Sequence, residues 1–416
     1  MSHTQNRARD IHISKIIFVG LIILLFCSPI YSASSEPTTE WTRVPGSSSD
    51  GCILEEGVYG AIPDTVIKDG SEYKMWYQLG WQINYATSKD GKTWTKIAGS
   101  GQLGAVLQGK PTWSSTGEER FDNYLIQSCR VIKDGNTYKM WYMGNIMGGI
   151  WRIGYAYSND GINWNRVDGK EYLKSVISYE KQNDESYANI ESFHVIKDGE
   201  TYKIWYIVYK NVGSPIKQIR TFYYATSNDG TAWETLNKKD YDVRVSNNLD
   251  TFIGGEMSII KEDSKYYMFY SGSYFSSQGI GYAYSEDGTN WNQIKGSYKY
   301  GAVFVNNTKA FDRDGVIFPC VIKDGNEYKM WYVGLMGEMD PQSHLWTDLK
   351  IRIGLATAPT IPQQNNIPGF PEISVFIGLI LISYTFLRAR DRARTGVGLR
   401  ASSWREDSRA GDAPQS

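Results

Sequence analysis

Between Trp41 and Pro359 the apolar residues come in short runs, each broken by a turn signal, and nowhere with the spacing of a helix face. Val131-Ile132 meets Asp134-Gly135, a dipeptide that favours a tight turn with positive φ, and the aromatic run Tyr138-Lys139-Met140-Trp141-Tyr142 follows. A third run, Ile153-Gly154-Tyr155-Ala156-Tyr157, leads into a second turn, Ser158-Asn159-Asp160-Gly161, and a strand opened by Trp164. The pattern predicts four antiparallel strands. Near copies begin at Val66, Val195, Ile259 and Val321, so the five starts lie 65, 64, 64 and 62 residues apart. A period this regular is one supersecondary unit used five times, and four-stranded units set around an axis are the blades of a β-propeller.

The ends of the array predict a closed ring. The fourth-strand signal occurs at Trp94, Trp164, Trp233 and Trp291 and is missing from the fifth copy. Trp41-Thr42-Arg43-Val44 matches Trp164-Asn165-Arg166-Val167, so the N-terminal strand is expected to complete the fifth blade and leave no open sheet edge. The expected fold is all-β, a five-bladed propeller over residues 36–360.

Composition adds little to the fold and more to the address. The net charge of −1 carries no basic footprint for nucleic acid. The 14 Trp and 30 Tyr fall mostly at repeat-equivalent positions, which points to packing between blades. Residues 1–35 read as a secretory signal: Arg7, Arg9 and Lys15 precede the apolar run Ile16 to Phe26, and Ser32-Ala33-Ser34-Ser35 follows. An uncleaved anchor is the alternative. Cys129 and Cys320 are read as occupying the same place in blades two and five, which are not neighbours, so no bridge is expected. No metal-ligand spacing is present and no cofactor is expected. Asn306-Asn307-Thr308 is a glycosylation sequon. Residues 361–372 form a linker ending in Pro368-Gly369-Phe370-Pro371, residues 373–387 an apolar span, and residues 388–416 a tail opened by Arg388, Arg390, Arg392 and Arg394. This order resembles the PGF-CTERM sorting signal of archaeal surface proteins, which implies cleavage and replacement of the tail by a lipid. A plain transmembrane anchor is the alternative. Both readings place a monomeric propeller outside the cell, attached to the membrane.

Candidate chemistry sits at the first strand of each blade, which lines the axis of a propeller. Upstream of each Val-Ile word three blades contribute a carboxyl: Asp64, Glu191 and Glu256. Two carboxyls flanking a bond are what glycoside hydrolysis requires. The order of inner strand, Asp-Gly turn, Tyr-rich strand and Ser-x-Asp-Gly-x-x-Trp resembles the five-bladed clan of arabinanases, β-xylosidases, invertases and levansucrases, from Trp41 to Pro359. The resemblance implies a glycosidase with Glu191, in Glu191-Ser192-Phe193-His194-Val195, as general acid and Asp64 as base or nucleophile. It departs from the clan in reading Pro63-Asp64 where the clan has Asp-Pro, and in lacking the blade-two Asp. A one-residue shift turns a side chain to the other face unless a bulge compensates.

Arg130 and His194 are candidates for binding hydroxyls or a carboxylate. Trp81, Trp113, Trp151 and Trp346 stand outside the repeat, and the first three are candidates for stacking on sugar rings. Asp312 and Asp314 are further acids without a motif, while Asp90, Asp160, Asp229 and Asp287 recur at hairpins and are read as turn residues. Two functions compete: a secreted glycosidase using Glu191 as acid with Asp64 or Glu256 as its partner, or a non-catalytic surface propeller that binds glycan or protein. In either, carbohydrate is the expected partner of the first choice.

Overall fold

The computed structural model describes residues 41–55, 60–109, 120–147, 149–242, 256–271, 279–294, 296, 298, 302–339 and 346–361. Five antiparallel sheets make a five-bladed propeller, as the repeat predicts. Blade 1 runs Ala61–Asp69, Glu72–Leu79, Gln82–Ser88 and Thr95–Ile97, and blade 2 runs Leu125–Asp134, Thr137–Asn145, Arg152–Ser158 and Asn165–Val167. Blade 3 is the tallest, with Glu185–Asp198, Thr201–Val212, Lys217–Ser227 and Glu234–Asp242. Blade 4 holds Met257–Glu262, Lys265–Ser271, Gly279–Ser285 and Asn292–Ile294. Blade 5 takes Gly315–Asp324, Glu327–Met339 and Trp346–Ala358 from the end of the chain and its outer strand, Thr42–Val44, from the beginning. Thr42 pairs with Thr357 and Val44 with Leu355, the closure that the Trp41 match anticipates. Among the described residues helical structure is limited to two 3-10 turns, Gln102–Gly104 and Tyr172–Lys174.

Each blade is bolted to the next by the residues that make the repeat visible. The second-strand indoles of Trp76, Trp141, Trp205 and Trp331 are fully buried. They donate to Gly161, Gly230, Gly288 and Gly91 carbonyls in the Ser-x-Asp-Gly turn of the following blade, at 2.6–2.9 Å. Those glycines have φ of 73–82°, and a Cβ at Gly230 would meet the Trp141 ring at 2.7 Å, so the turn admits only glycine there. Blade 4 carries Phe269 instead, and Trp41 meets it edge-on at 5.6 Å, completing the sequence of contacts around the ring. The turn aspartates are structural, as expected: Asp90 accepts from Lys92 and Thr93 amides and from Ser88.

A second girdle runs through the Asp-Gly hairpins. The Asp134 carboxylate accepts from Lys197 and Tyr202 of the next blade and from Lys139 of its own. Asp69, Asp198, Asp324 and Glu262 repeat the arrangement with their own neighbours. These lysine and tyrosine partners hold Asp134 below the usual carboxylate range.

The ring closure has its own lock. Arg43 pairs with Asp312 at 2.8 Å, and Tyr332 donates to the same carboxylate oxygen at 3.1 Å. Blade 2 has the counterpart within one continuous stretch: Arg166 pairs with Asp122 at 2.7 Å, and Tyr142 donates to it at 2.7 Å. Asp312 is therefore a packing group of blade 5, and Asp314 pairs with Arg313 at 3.0 Å. The three described cysteines, Cys52, Cys129 and Cys320, are buried free thiols. Cys320 sits directly before the Val-Ile word and Cys129 one residue earlier, so the two do not take the same place in their blades. The signal segment, Trp113 and residues 362–416, including the sorting motif and apolar span, lie outside the described residues.

Candidate functional site

All five blades contribute to a cavity of about 330 Å³ on the axis, through Ile62, Gln127, Ile190 and Phe318 of inner strands and Glu256 just before the inner strand of blade 4, among others. Its placement depends on bulges. The inner strands of blades 1, 2, 3 and 5 each slip register just before the Val-Ile word, between Pro63 and Thr65, Gln127 and Cys129, Ile190 and Ser192, and Ile317 and Cys320. Asp64, Ser128 and Glu191 are the unpaired residues in the first three, and Ser128 and Phe318 hold left-handed φ of 46° and 55°. A bulge re-aims the side chain that it leaves unpaired. It does so with opposite results: Glu191 reaches the cavity wall, whereas Asp64 is only 6 % exposed and is not part of that wall.

Below the bulges lies a ring of side chains that the repeat hides. The residue before each Val-Ile word is Thr65, Arg130, His194, Ser258 or Cys320, and each touches the next blade. Thr65 donates to the Cys129 carbonyl at 2.9 Å and accepts from the Val131 amide at 3.1 Å. Arg130 Nε donates to His194 Nδ1 at 3.0 Å, and His194 in turn meets the backbone of Met257 and Ile259. Ser258 accepts from the Val321 amide at 2.9 Å, and Cys320 from the Val66 amide at 3.2 Å. Arg130 and His194, expected to touch ligand, thus face neighbouring blades. Burial, with the Arg130 charge beside it, pushes His194 well below its ordinary pKa and keeps it a neutral acceptor.

Arg130 is the hub. It donates to the carbonyls of Asp64 at 2.9 Å, Cys129 at 2.8 Å and Met257 at 3.2 Å, and to Glu256 at 3.1 Å. The Asp64 carboxyl is 3.9 Å away, and its Oδ2 is buried without a partner. One guanidinium serves two buried carboxyls, too few for both to ionise freely. Burial pushes Asp64 up to about 8 against the pull of Arg130, and burial also raises Glu256.

The sign of the linkage is fixed by that rise. The folded protein keeps the Asp64 proton that the unfolded chain gives up near pH 4, so its contribution is full below pH 4 and is lost as pH rises through about 8. Asp64→Asn is expected to remove this slope. Relative to the parent, the variant gains stability on the order of 3 kcal/mol between pH 5 and pH 9, measured by urea unfolding at each pH. Equal slopes in the two proteins would show that Asp64 ionises in the fold without penalty.

Glu191 and Glu256 are the carboxyls on the cavity wall. Glu191 is held by a two-pronged contact from Arg220, at 2.6 and 2.8 Å, and Ser192 donates to Glu256 at 3.2 Å. Arg220 escaped sequence reasoning because it lies on the third strand of blade 3, outside the repeated words. One side of the cavity is aromatic. Trp81, 53 % exposed, stacks with Trp151 of the next blade at 6.1 Å and 25°, and Tyr187 meets Tyr209 edge-on at 6.0 Å. Asn189 ties the wall together, accepting from the Trp151 amide at 2.7 Å and donating to Tyr187 Oη at 3.0 Å. Tyr187 and Asn189 were legible in principle: they alternate along one strand and so share a face.

No family model matches the chain. The uncharacterized protein Rv1502 of Mycobacterium tuberculosis is 26 % identical over 247 residues, covering 56 % of this chain and 76 % of that protein. Among solved structures, a thermostable family-43 glycoside hydrolase superposes with a TM-score of 0.50 at 18 % identity, covering 73 % of this chain and 91 % of that one. A second structure, described as a glycoside hydrolase, gives a TM-score of 0.53 at 16 % identity, with coverage of 79 % and 93 %. These likenesses establish the shared five-bladed fold.

Proposed function

We propose that this protein is a secreted, surface-attached propeller that binds carbohydrate in the axial cavity. The observation that carries the reading is the stacked Trp81–Trp151 pair on a cavity whose polar groups include Gln78, Gln127, Asn189 and two carboxyls. Flat aromatic faces suit the apolar faces of sugar rings, and amides and carboxylates suit their hydroxyls. The glycoside hydrolase fold of the structural neighbours supports the same partner class. Binding without cleavage is favoured because Asp64 is withdrawn from the cavity, and both Glu191 carboxylate oxygens are already taken by Arg220.

Hydrolysis is the second reading, favoured by Glu256. It lines the cavity, burial raises its proton affinity, and Glu191 also opposes its ionisation. That is the electrostatic setting of a general acid, with Glu191 as its opposite carboxylate. Titration of the protein with mono- and oligosaccharides, alongside release of aryl groups from arabinosides, xylosides, fructosides, mannosides and galactosides, separates the two. Saturable binding without turnover supports the binding propeller. Turnover abolished by Glu256→Gln replaces it with the enzyme. Trp81→Ala is expected to weaken binding up to about tenfold, since an aromatic contact of this kind contributes about 0.5–1.5 kcal/mol, while leaving the thermal midpoint unchanged. Unaltered affinity would place the ligand elsewhere.

A further inference from the structure

Resting on the carbohydrate reading, the geometry points to a ligand that carries a protonated amine: we propose that the axial cavity recognises an amino sugar with a free ammonium group. Glu191 and Glu256 meet at the axial site with two guanidiniums, Arg220 and Arg130, while Asp64 stays protonated off the cavity wall.

Neither guanidinium lines the cavity: among the described lining residues the charged groups are Glu191 and Glu256 alone, with no lysine or arginine. A ligand in the cavity therefore meets carboxylate oxygens first. Glu256 has a 14 % exposed side chain, with Oε2 shared between Arg130 and Ser192, so burial penalises its charge while its outer face remains open to a partner. An ammonium group against it relieves that penalty. A uronate or sulfated sugar would instead place like charges together in a part-buried site, which is destabilising.

The aromatic side of the cavity has the matching preference. Trp81, Trp151, Tyr187 and Tyr209 line the same cavity as these carboxyls, and a cation over an indole or phenol face is attracted by the ring quadrupole. Tyr209 already makes one such contact on its protein side, with the Arg220 guanidinium 5.5 Å from the ring centroid. Aromatic faces, amide side chains and carboxylates on the wall together fit a sugar ring bearing an amine better than a neutral ring alone.

The test is a titration of the full-length protein with glucosamine, N-acetylglucosamine, glucose and glucuronate, and with chitosan and chitin oligosaccharides, followed by tryptophan fluorescence at pH 6.5. The free amine is expected to bind about tenfold tighter than its acetylated form, with glucuronate weakest. The preference should shrink with added salt and be lost in Glu256→Gln. Because that variant also touches Arg130, its folding is checked by circular dichroism, and the salt series in the parent protein is an independent measurement. Equal affinity for glucosamine and N-acetylglucosamine, abolished by Trp81→Ala, would overturn the amine preference and leave the carbohydrate site standing. Preference for glucuronate would also overturn it. Failure of every sugar to bind would overturn both readings.

Discussion

Arg130→Met is expected to destabilise the propeller by about 4 kcal/mol, enough to leave much of the protein unfolded. Removing one partner from a buried charge cluster typically costs about 3–5 kcal/mol, because the other charges stay behind without compensation. Here the loss is compounded. The Arg130 side chain is 6 % exposed, and it supplies donors to Glu256, His194 and three backbone carbonyls drawn from blades 1, 2 and 4. Lysine is not a substitute, since a single ammonium cannot span these acceptors as the planar guanidinium does. The measurement is urea unfolding of Arg130→Met and Arg130→Lys beside the parent. Partial recovery in Arg130→Met/Asp64→Asn/Glu256→Gln is the second expected result, because neutral amides remove the stranded charges. A cost under 1 kcal/mol would show that the ring is held by packing alone.

Arg43→Met is expected to cost about 3 kcal/mol, and more than the equivalent Arg166→Met. The two arginines occupy the same place in blades 5 and 2, but their carboxylates are differently provided for. Asp122 keeps a second partner, Arg120 at 3.1 Å, after Arg166 is removed. Asp312 is fully buried, its Oδ1 is already without a partner, and losing Arg43 leaves only Tyr332. Arg43 also covers the Phe304 ring at 4.3 Å, so packing is lost with the charge. Thermal and urea unfolding of both variants gives the order. If Arg166→Met proves the more damaging, the closure is not the weak joint of the ring.

Much of this architecture was legible because the repeat writes each contact four or five times. The Asp-Gly hairpins, the Ser-x-Asp-Gly turns and the second-strand Trp residues are local words, and the same words produce the girdle and the Trp-to-glycine bolts. Even the closure could be read, because Trp41-Thr42-Arg43-Val44 copies a fourth strand. The site was harder for the opposite reason. It is built from departures from the repeat, and a bulge of one residue decides whether Asp64 or Glu191 faces the axis. Nothing local to Pro63-Asp64 states that its carboxyl turns toward Arg130 of the next blade.

The axial ring did leave a trace. Thr65, Arg130, His194, Ser258 and Cys320 differ in size and charge, yet every one can hydrogen-bond, at the position just before an apolar pair. That shared capacity, rather than shared identity, was the signal. Arg220 left none, since its partner Glu191 is 29 positions away on another strand.

Blade 5 also sets a timetable for synthesis. Its outer strand, Thr42–Val44, is among the first parts of the propeller to be made, and its partner, Trp346–Ala358, among the last. At about 5–20 residues per second the early strand waits roughly 15–60 s for that partner. Four blades can be assembled in that interval, but the ring cannot close, so the last blade must be finished by a long-range encounter between the two ends. A nascent chain halted before Trp346 would hold four bolted sheets, the first two strands of blade 5 and an orphan strand, with the Phe269 ring of blade 4 that should receive Trp41 still bare. Exposure to chaperones and proteases is therefore concentrated in this final step, after most of the chain has already folded.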